Sequence, residues 1–521
     1  MQKNVLIGIG GTGSRVIESV VNLCAAGFGP DKLHIFMIDP DQGNGNLTRT
    51  KSLITRYTQM RAAYERVPSN PSFKTEIIIP PADEPFIWSI FEQRHFTLGK
   101  YINYDNLKKT SPDLANLANV LFTDDELETD LERGFRGHPS IGSVVMADPP
   151  MDEYPFKLLW EGIETMGEGD LRVFIVGSIF GGTGAAGFPT LGSRQLLKFN
   201  DAMHAKLADE KSRILLGGAL VLPYFSFTAN QTITESMFVT NSDFPIATKA
   251  ALQYYNDKHL GFDQYYFIGD SLSQNVGKFS TGAAEQENKP HYIEMASGLA
   301  AFDFFNQSKE AAKDEKYFIA SRQTPVVDWN SLPLTRESAN LPAASKQFKD
   351  LMADFTIFAY TYLTFGRNTL AKTHKETADE TWYAENYKKE FKEDSALYNP
   401  RHQKNNELYS IADNFLNSFL YWICSLDDKN TVQLIDQDKM MAAPIPEDKV
   451  LFLRDPEAFK ANIGEIIRSK GGSASYDFNK FRTAGLEETI IKDGTISGGS
   501  KYLNIFYLAA SKFNRKNLVN S

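Results

Sequence analysis

Cysteine is almost missing from this sequence: Cys24 and Cys424 are the two in 521 residues. Both sit in apolar patterns of helical spacing. That excludes a disulfide framework and fits a reduced compartment, with both thiols as small core residues. Histidine is sparse as well, and none of the eight forms an H-x-x-x-H metal pair. His291, at an expected helix start, reads as a capping or packing residue, and Ser143 and Ser178 lack a nucleophile-elbow context. Positive charge is in deficit, giving a net charge of -10. That balance argues against direct nucleic-acid binding and against anionic lipid. Long apolar runs are missing too. The richest, "FTIFAYTYLTFG" (355–366) and "FLNSFLYWIC" (415–424), fall short of the roughly 20 residues that a membrane span needs. The start "MQKNVLIGIGG" breaks its apolar stretch with glycine at once, unlike a signal peptide. A cytoplasmic protein without a membrane span is the expectation.

What the chain does contain is a globular composition, 42% hydrophobic and 23% charged, at a length that suggests two to four domains. Val5–Ile7, Leu33–Asp39, Val173–Val176, Ile214–Pro223 and Phe262–Asp270 read as buried strands. Helical patterns lie between them, so the sheet should be doubly wound, mostly parallel and covered on both faces. The polar stretch at about 50–130 reads as a long insertion, and its acidic run "TDDELETDLERG" (123–134) as a solvated helix face. After about residue 306 the pattern changes to long helices rich in Phe and Tyr, an expected helix-rich α+β C-terminal domain over 307–521.

Two glycine clusters follow buried strands directly. "GIGGTGSRV" spans Gly8–Val16 and "FGGTGAAGFP" spans Phe180–Pro189. Bound phosphate needs several backbone N–H groups aimed at it, and a Cβ would hold the chain too far away. A helix N-terminus adds unsatisfied donors and a partial positive charge. Gly8, Gly10, Gly11, Gly13 and Ser14 fit that requirement, as do Gly181, Gly182, Thr183 and Gly184. The first cluster alone also satisfies a dinucleotide-type G-x-G-x-x-G with Asp39 ending the next strand, so a Rossmann cofactor site and a ligand-free tight turn both remain open for it. Neither cluster matches a P-loop.

The second cluster closely resembles the GGGTGSG-type signature loop of the tubulin/FtsZ superfamily, in the manner of divergent bacterial tubulin-like proteins. Four further segments fall in that family's order over about the first 300 residues: "VLIGIGGTGSRVIESVV", "IDPDQGNGN", "GFRGHPSIG" and "LVLPYFSF". The resemblance implies a GTPase that binds GTP or GDP with Mg²⁺ and self-assembles into filaments or oligomers. It implies that Gly10, Gly11, Thr12, Gly13 and Ser14 hold the α/β-phosphates. Gly181, Gly182, Thr183, Gly184 and Ala185 would cradle the β/γ-phosphates. Gly134, Arg136, Gly137 and His138 would sense the γ-phosphate, and Asp39 and Asp41 could hold Mg²⁺ through water or simply form a strand-end turn. The nucleotide-binding domain would span 1–306, with a central helix at about 289–306.

The departures are specific. The family's G-x-x-N-x-D catalytic loop after the central helix has no counterpart, leaving Glu294, Asp303 and Asp314 as candidate catalytic acids. No guanine-reading residues transfer. A nucleotide-binding scaffold that does not hydrolyse, acting through a partner such as one encoded in the same operon, stays open. So does an adenylating enzyme of the ubiquitin-activating type, which the pattern "GIGGTGS…DPDQGNGNLTR" superficially fits but which leaves Gly181–Gly187 unexplained.

Overall fold

The computed structural model describes residues 2–81, 85–89, 96–135, 137–147, 157, 170–195, 214–228, 243–258, 260–271, 274–278, 286–308, 311, 316–329, 331–332, 341–371, 380–387, 403–428, 430–436, 440, 463–467, 477–492, 494 and 496–518. Its centre is the expected doubly wound α/β sheet. The strands are β1 (Lys3–Ile9), β2 (Lys32–Ile38), β3 (Glu76–Ile78), β4 (Ile87–Trp88), β5 (Leu171–Ser178), β6 (Ile214–Val221), β8 (Gln264–Ile268) and β10 (Lys316–Ala320). Their order is β10-β8-β6-β5-β1-β2-β3, with β4 also pairing β2, and every pairing in this sheet is parallel. A separate two-stranded ribbon joins β7 (Phe225–Thr228) and β9 (Gln274–Lys278).

Strands buried on both faces need apolar side chains at successive positions, as β5 has in Val173–Val176, and all of β5 is buried. The neighbouring strand β6 shows the two layers directly. A Cβ added at Gly217 would meet Phe304 on one face, and one at Gly218 would meet Phe188 on the other. The first face carries α1 (Gly10–Ala25), α2 (Gly45–Ala63) and the central helix α7 (Tyr292–Asn306). The second carries α4 (Pro139–Val145), α5 (Gly182–Pro189) and α6 (Asp243–Lys258). Within the polar insertion, α3 (Pro112–Leu121) follows a short helix at Tyr104–Thr110. The acidic run forms two short capped turns, at Asp124–Leu127 and Leu131–Arg133, with Asp124 and Asp125 exposed.

The central helix begins at Tyr292, three residues after the expected start, because His291 caps it. The His291 side chain accepts from the Ile293 amide, while Glu294 reaches back to the His291 amide in a capping box. The C-terminal helices α8 (Leu341–Thr361), α9 (Gln403–Ser425) and α10 (Gly498–Leu518) pack on one another, and α9 lies on α2. Trp422 of α9 donates its indole N–H to Ser19 of α1 at 3.2 Å. Cys24 and Cys424 are both buried, and neither forms a disulfide. Among the described residues, no helix is long and apolar enough to cross a membrane.

Candidate functional site

Strand order fixes where the glycine clusters meet. From β1 the chain moves outward through β2 and β3 on one side; β5, β6, β8 and β10 fill the other. The reversal lies between β1 and β5, which pair directly, Gly8 opposite Val176. Both clusters therefore leave the carboxyl edge of the sheet at its topological switch point, where ligands of open α/β sheets bind.

Contact between the two loops is intimate. A Cβ on Gly10 (φ +74°) would lie 3.4 Å from the Gly184 amide nitrogen and 3.4 Å from Thr183 Cβ. The third loop joins them, since a Cβ on Gly182 would lie 2.9 Å from Phe135 Cβ and 3.1 Å from the Gly137 amide nitrogen. Gly137 has φ +83°, a backbone that side-chain-bearing residues rarely adopt. Thus Gly10–Ser14, Gly134–His138 and Gly181–Ala185 come together, although Arg136 lies outside the described residues. Both helices that start here lack a side-chain cap. Ile9 stands at the N-cap of α1 and Gly181 at that of α5, and neither first turn carries an acid. The uncapped amides at these ends are ready donors for an anion.

Asp39 and Asp41 flank the same edge, because Ile38 pairs with Ile9. Both are buried, and the Asp39 carboxylate accepts from the Asp41 amide at 2.9 Å. Burial first, and the neighbouring Asp41 charge second among the raising influences, push Asp39 up to about 8. His138 places Nδ1 3.2 Å from Glu126 of the acidic turn, so an acid from the insertion holds the third loop.

The structure describes two of the three candidate catalytic acids. Glu294 is 1% exposed and bonded at 2.5 Å to Arg15 Nε and at 2.6 Å to the Tyr224 hydroxyl. A carboxylate locked between buried partners cannot be presented to a neighbouring subunit. Asp303 accepts from Tyr266 and Gln307 near the end of α7. That end adjoins Gln2 and Arg172, at the amino edge of the sheet and away from the glycine loops. Asp314 lies outside the described residues.

Arg15 itself escaped the sequence reading. Burial works against its charge, but Tyr224 and Glu294 outweigh that and hold it protonated. Burial also pushes the Tyr224 phenol up. Asn288 accepts from Arg15 at 3.3 Å, and Asn46 receives the Asn288 amide at 2.8 Å. Asn44, Asn46 and Arg15 stand around Gly11, each within 4 Å of where its Cβ would be. Arg15 falls with Glu18, Ser19 and Asn22 on the polar side of α1, so its burial had no signal in the apolar pattern.

Burial drives His291 down to about 4, with the neighbouring Arg15 and Arg322 also lowering it and Glu294 and Asp270 opposing. The native chain then binds fewer protons than the unfolded one between about pH 6.5 and about pH 4, so this cap loses stability as pH falls through that window. His291→Asn keeps a good capping group and should flatten the fall in unfolding midpoint between pH 7 and pH 5. An unchanged slope would show that His291 does not titrate as described.

A cavity of about 230 Å³ lies elsewhere, lined by Leu220, Leu252, Tyr255, Tyr265, Phe267 and Tyr317. Its wall residue Tyr255 donates to the Ala185 carbonyl of α5 at 2.9 Å.

No family model and no curated protein matches the chain. Solved structures do resemble it, two among them as follows. One is CetZ2 from Haloferax volcanii, described as a GTPγS-bound protofilament, at 12% identity and TM-score 0.25, over 59% of this chain and 61% of that one. The other is CetZ from Methanosaeta thermophila, at 14% identity and TM-score 0.22, over 60% of this chain and 52% of that one. The chain thus spans about three fifths and about half of those two lengths. With TM-scores this low, the fold assignment stands on this chain's own strand order and loops.

Proposed function

We propose that this chain binds a nucleoside triphosphate across its three glycine loops and uses the bound state to control self-assembly, as a tubulin/FtsZ-like GTPase. The observation that carries the reading is the contact between Gly10 and the Thr183–Gly184 turn, at adjacent strands and two uncapped helix starts. Amides of Gly11–Ser14 would bind the α/β-phosphates and those of Gly182–Ala185 the β/γ-phosphates, with Gly134 and Gly137 closing on the terminal one. Asp39 and Asp41 are groups of the right kind for water-mediated Mg²⁺, and a cation there would keep the buried Asp39 ionised. GTP is the nucleotide that the loop resemblance implies.

An adenylating enzyme would have no use for the second loop, whereas a shared triphosphate occupies both. A second reading has a specific support: Glu294 and Asp303 are both tied up in hydrogen bonds, as expected of a scaffold that binds nucleotide without hydrolysing it.

Calorimetric titration with GTP and ATP in Mg²⁺ tests the binding, alongside phosphate release and light scattering at several protein concentrations. Gly182→Ala pushes a methyl against Phe135 and Gly137, and Thr183→Val removes a hydroxyl beside Gly134. Each should weaken nucleotide binding by ~10-fold or more, the worth of one or two lost charge-assisted hydrogen bonds, without unfolding the sheet. Normal binding by either variant would overturn the loop assignment. Phosphate release rising steeply with protein concentration would favour assembly-coupled hydrolysis, and tight binding without turnover the scaffold.

A further inference from the structure

Four of the large apolar side chains most open to solvent stand on one ten-residue helix, α3. Leu114 is 53% exposed, Leu117 51%, Val120 82% and Leu121 57%. The helix already buries its other side through Ala115, Ala118 and the following Phe122. Leu114, Leu117 and Leu121 recur at i, i+3 and i+7, so they form a continuous stripe pointing outward. A contiguous apolar stripe of this kind on a helix marks an interaction surface.

We infer that this stripe docks on the same stripe of a second copy of the chain, antiparallel about a two-fold axis. The stripe is symmetric about its middle: with Leu117 near the axis, Leu114 of one copy falls opposite Leu121 of the other. Its ends also differ in charge. The preceding helix folds back along α3, with Tyr104 bonded to Asn119, so exposed Lys108 and Lys109 sit at the amino end, where Asp113 also lies. Exposed Asp124, Asp125 and Glu128 sit at the carboxyl end. Antiparallel pairing sets the basic end of each copy toward the acidic end of the other, which is the self-complementarity an isologous contact requires. Lys108 also contacts Asp105 and the Tyr104 ring, which leaves Lys109 as the lysine for the test. A membrane is a poorer occupant, because the acidic end and the net charge of -10 oppose anionic lipid.

The contact closes at two copies and needs no nucleotide, so it is separate from any head-to-tail assembly. Sedimentation velocity of the full chain without nucleotide should show a dimer at tens of micromolar. Leu117→Asp should raise the dimer dissociation constant ~10-fold or more, by placing a charge at the centre of the contact, while leaving GTP binding unchanged. Lys109→Glu should weaken the dimer, and adding Asp125→Lys in the same chain should restore it, since both ends are then exchanged. Cys24 and Cys424 are buried, so a thiol introduced on the surface is the reactive one. Oxidised Leu117→Cys should form a disulfide-linked dimer and Asn106→Cys, off the stripe, should not. A monomeric wild-type chain would overturn the inference. So would equal cross-linking of the two cysteine variants, or sedimentation with anionic vesicles that Leu117→Asp abolishes.

Discussion

Glu294→Ala should cost the folded chain about 3–5 kcal/mol, because it strands the buried Arg15 charge. Both partners of the pair are almost completely buried, at 4% and 1% side-chain exposure. Tyr224 and Asn288 can still accept or share hydrogen bonds, but neither supplies a full negative charge. The same substitution removes half of the capping box of α7, which adds to the loss. Replacing both ends of the pair, Arg15→Met with Glu294→Leu, should recover most of that stability, since well-packed apolar residues often match a buried pair. Chemical denaturation of the three proteins checks this. A single variant as stable as the parent would mean that the pair is hydrated and that the burial described here is wrong. Through this pair Glu294 holds α7 against α1.

Gly13→Ala should lower stability by about 3 kcal/mol, at the upper end for overpacking, and remove nucleotide binding with it. The added methyl would stand 2.7 Å from the Gly8 carbonyl carbon and 2.8 Å from the Val176 carbonyl oxygen. These are backbone atoms of β1 and β5, which cannot swing aside as a side chain can. Helix α1 would have to retreat from the sheet, carrying the Gly10 and Gly11 amides with it. Gly11→Ala is the useful contrast, because its methyl would meet only side-chain atoms, none closer than 3.6 Å. Thermal unfolding should place Gly11→Ala near the parent and Gly13→Ala well below it. Equal midpoints would contradict the close approach of α1 to the two strands.

Much of the fold was legible because local chemistry announces it. Val5–Ile7 and Val173–Val176 are apolar at every position, so they had to be strands covered twice, and each ends in a glycine cluster that only a tight strand–helix turn uses. The site was legible only to the extent that it is built from backbone, since glycine is visible in a sequence and a converging amide is implied by it. What was hidden depends on pairs far apart in the chain. Arg15 meets Glu294 across 279 positions, and Asn46 meets Asn288 across 242. No spacing rule links such residues, so Glu294 read as a candidate catalytic acid with no sign of its buried partner. The place of Asp303 was hidden for a related reason: its helix runs the depth of the sheet, and sequence alone does not say which end faces the loops.

Amide hydrogen exchange with and without a triphosphate nucleotide tests the central claim most directly. The account predicts slowed exchange in both 10–14 and 181–185 at the same nucleotide concentration, and loss of both effects together in Gly182→Ala. Protection confined to one loop, or protection of the two at separate concentrations, would contradict a single ligand held between them.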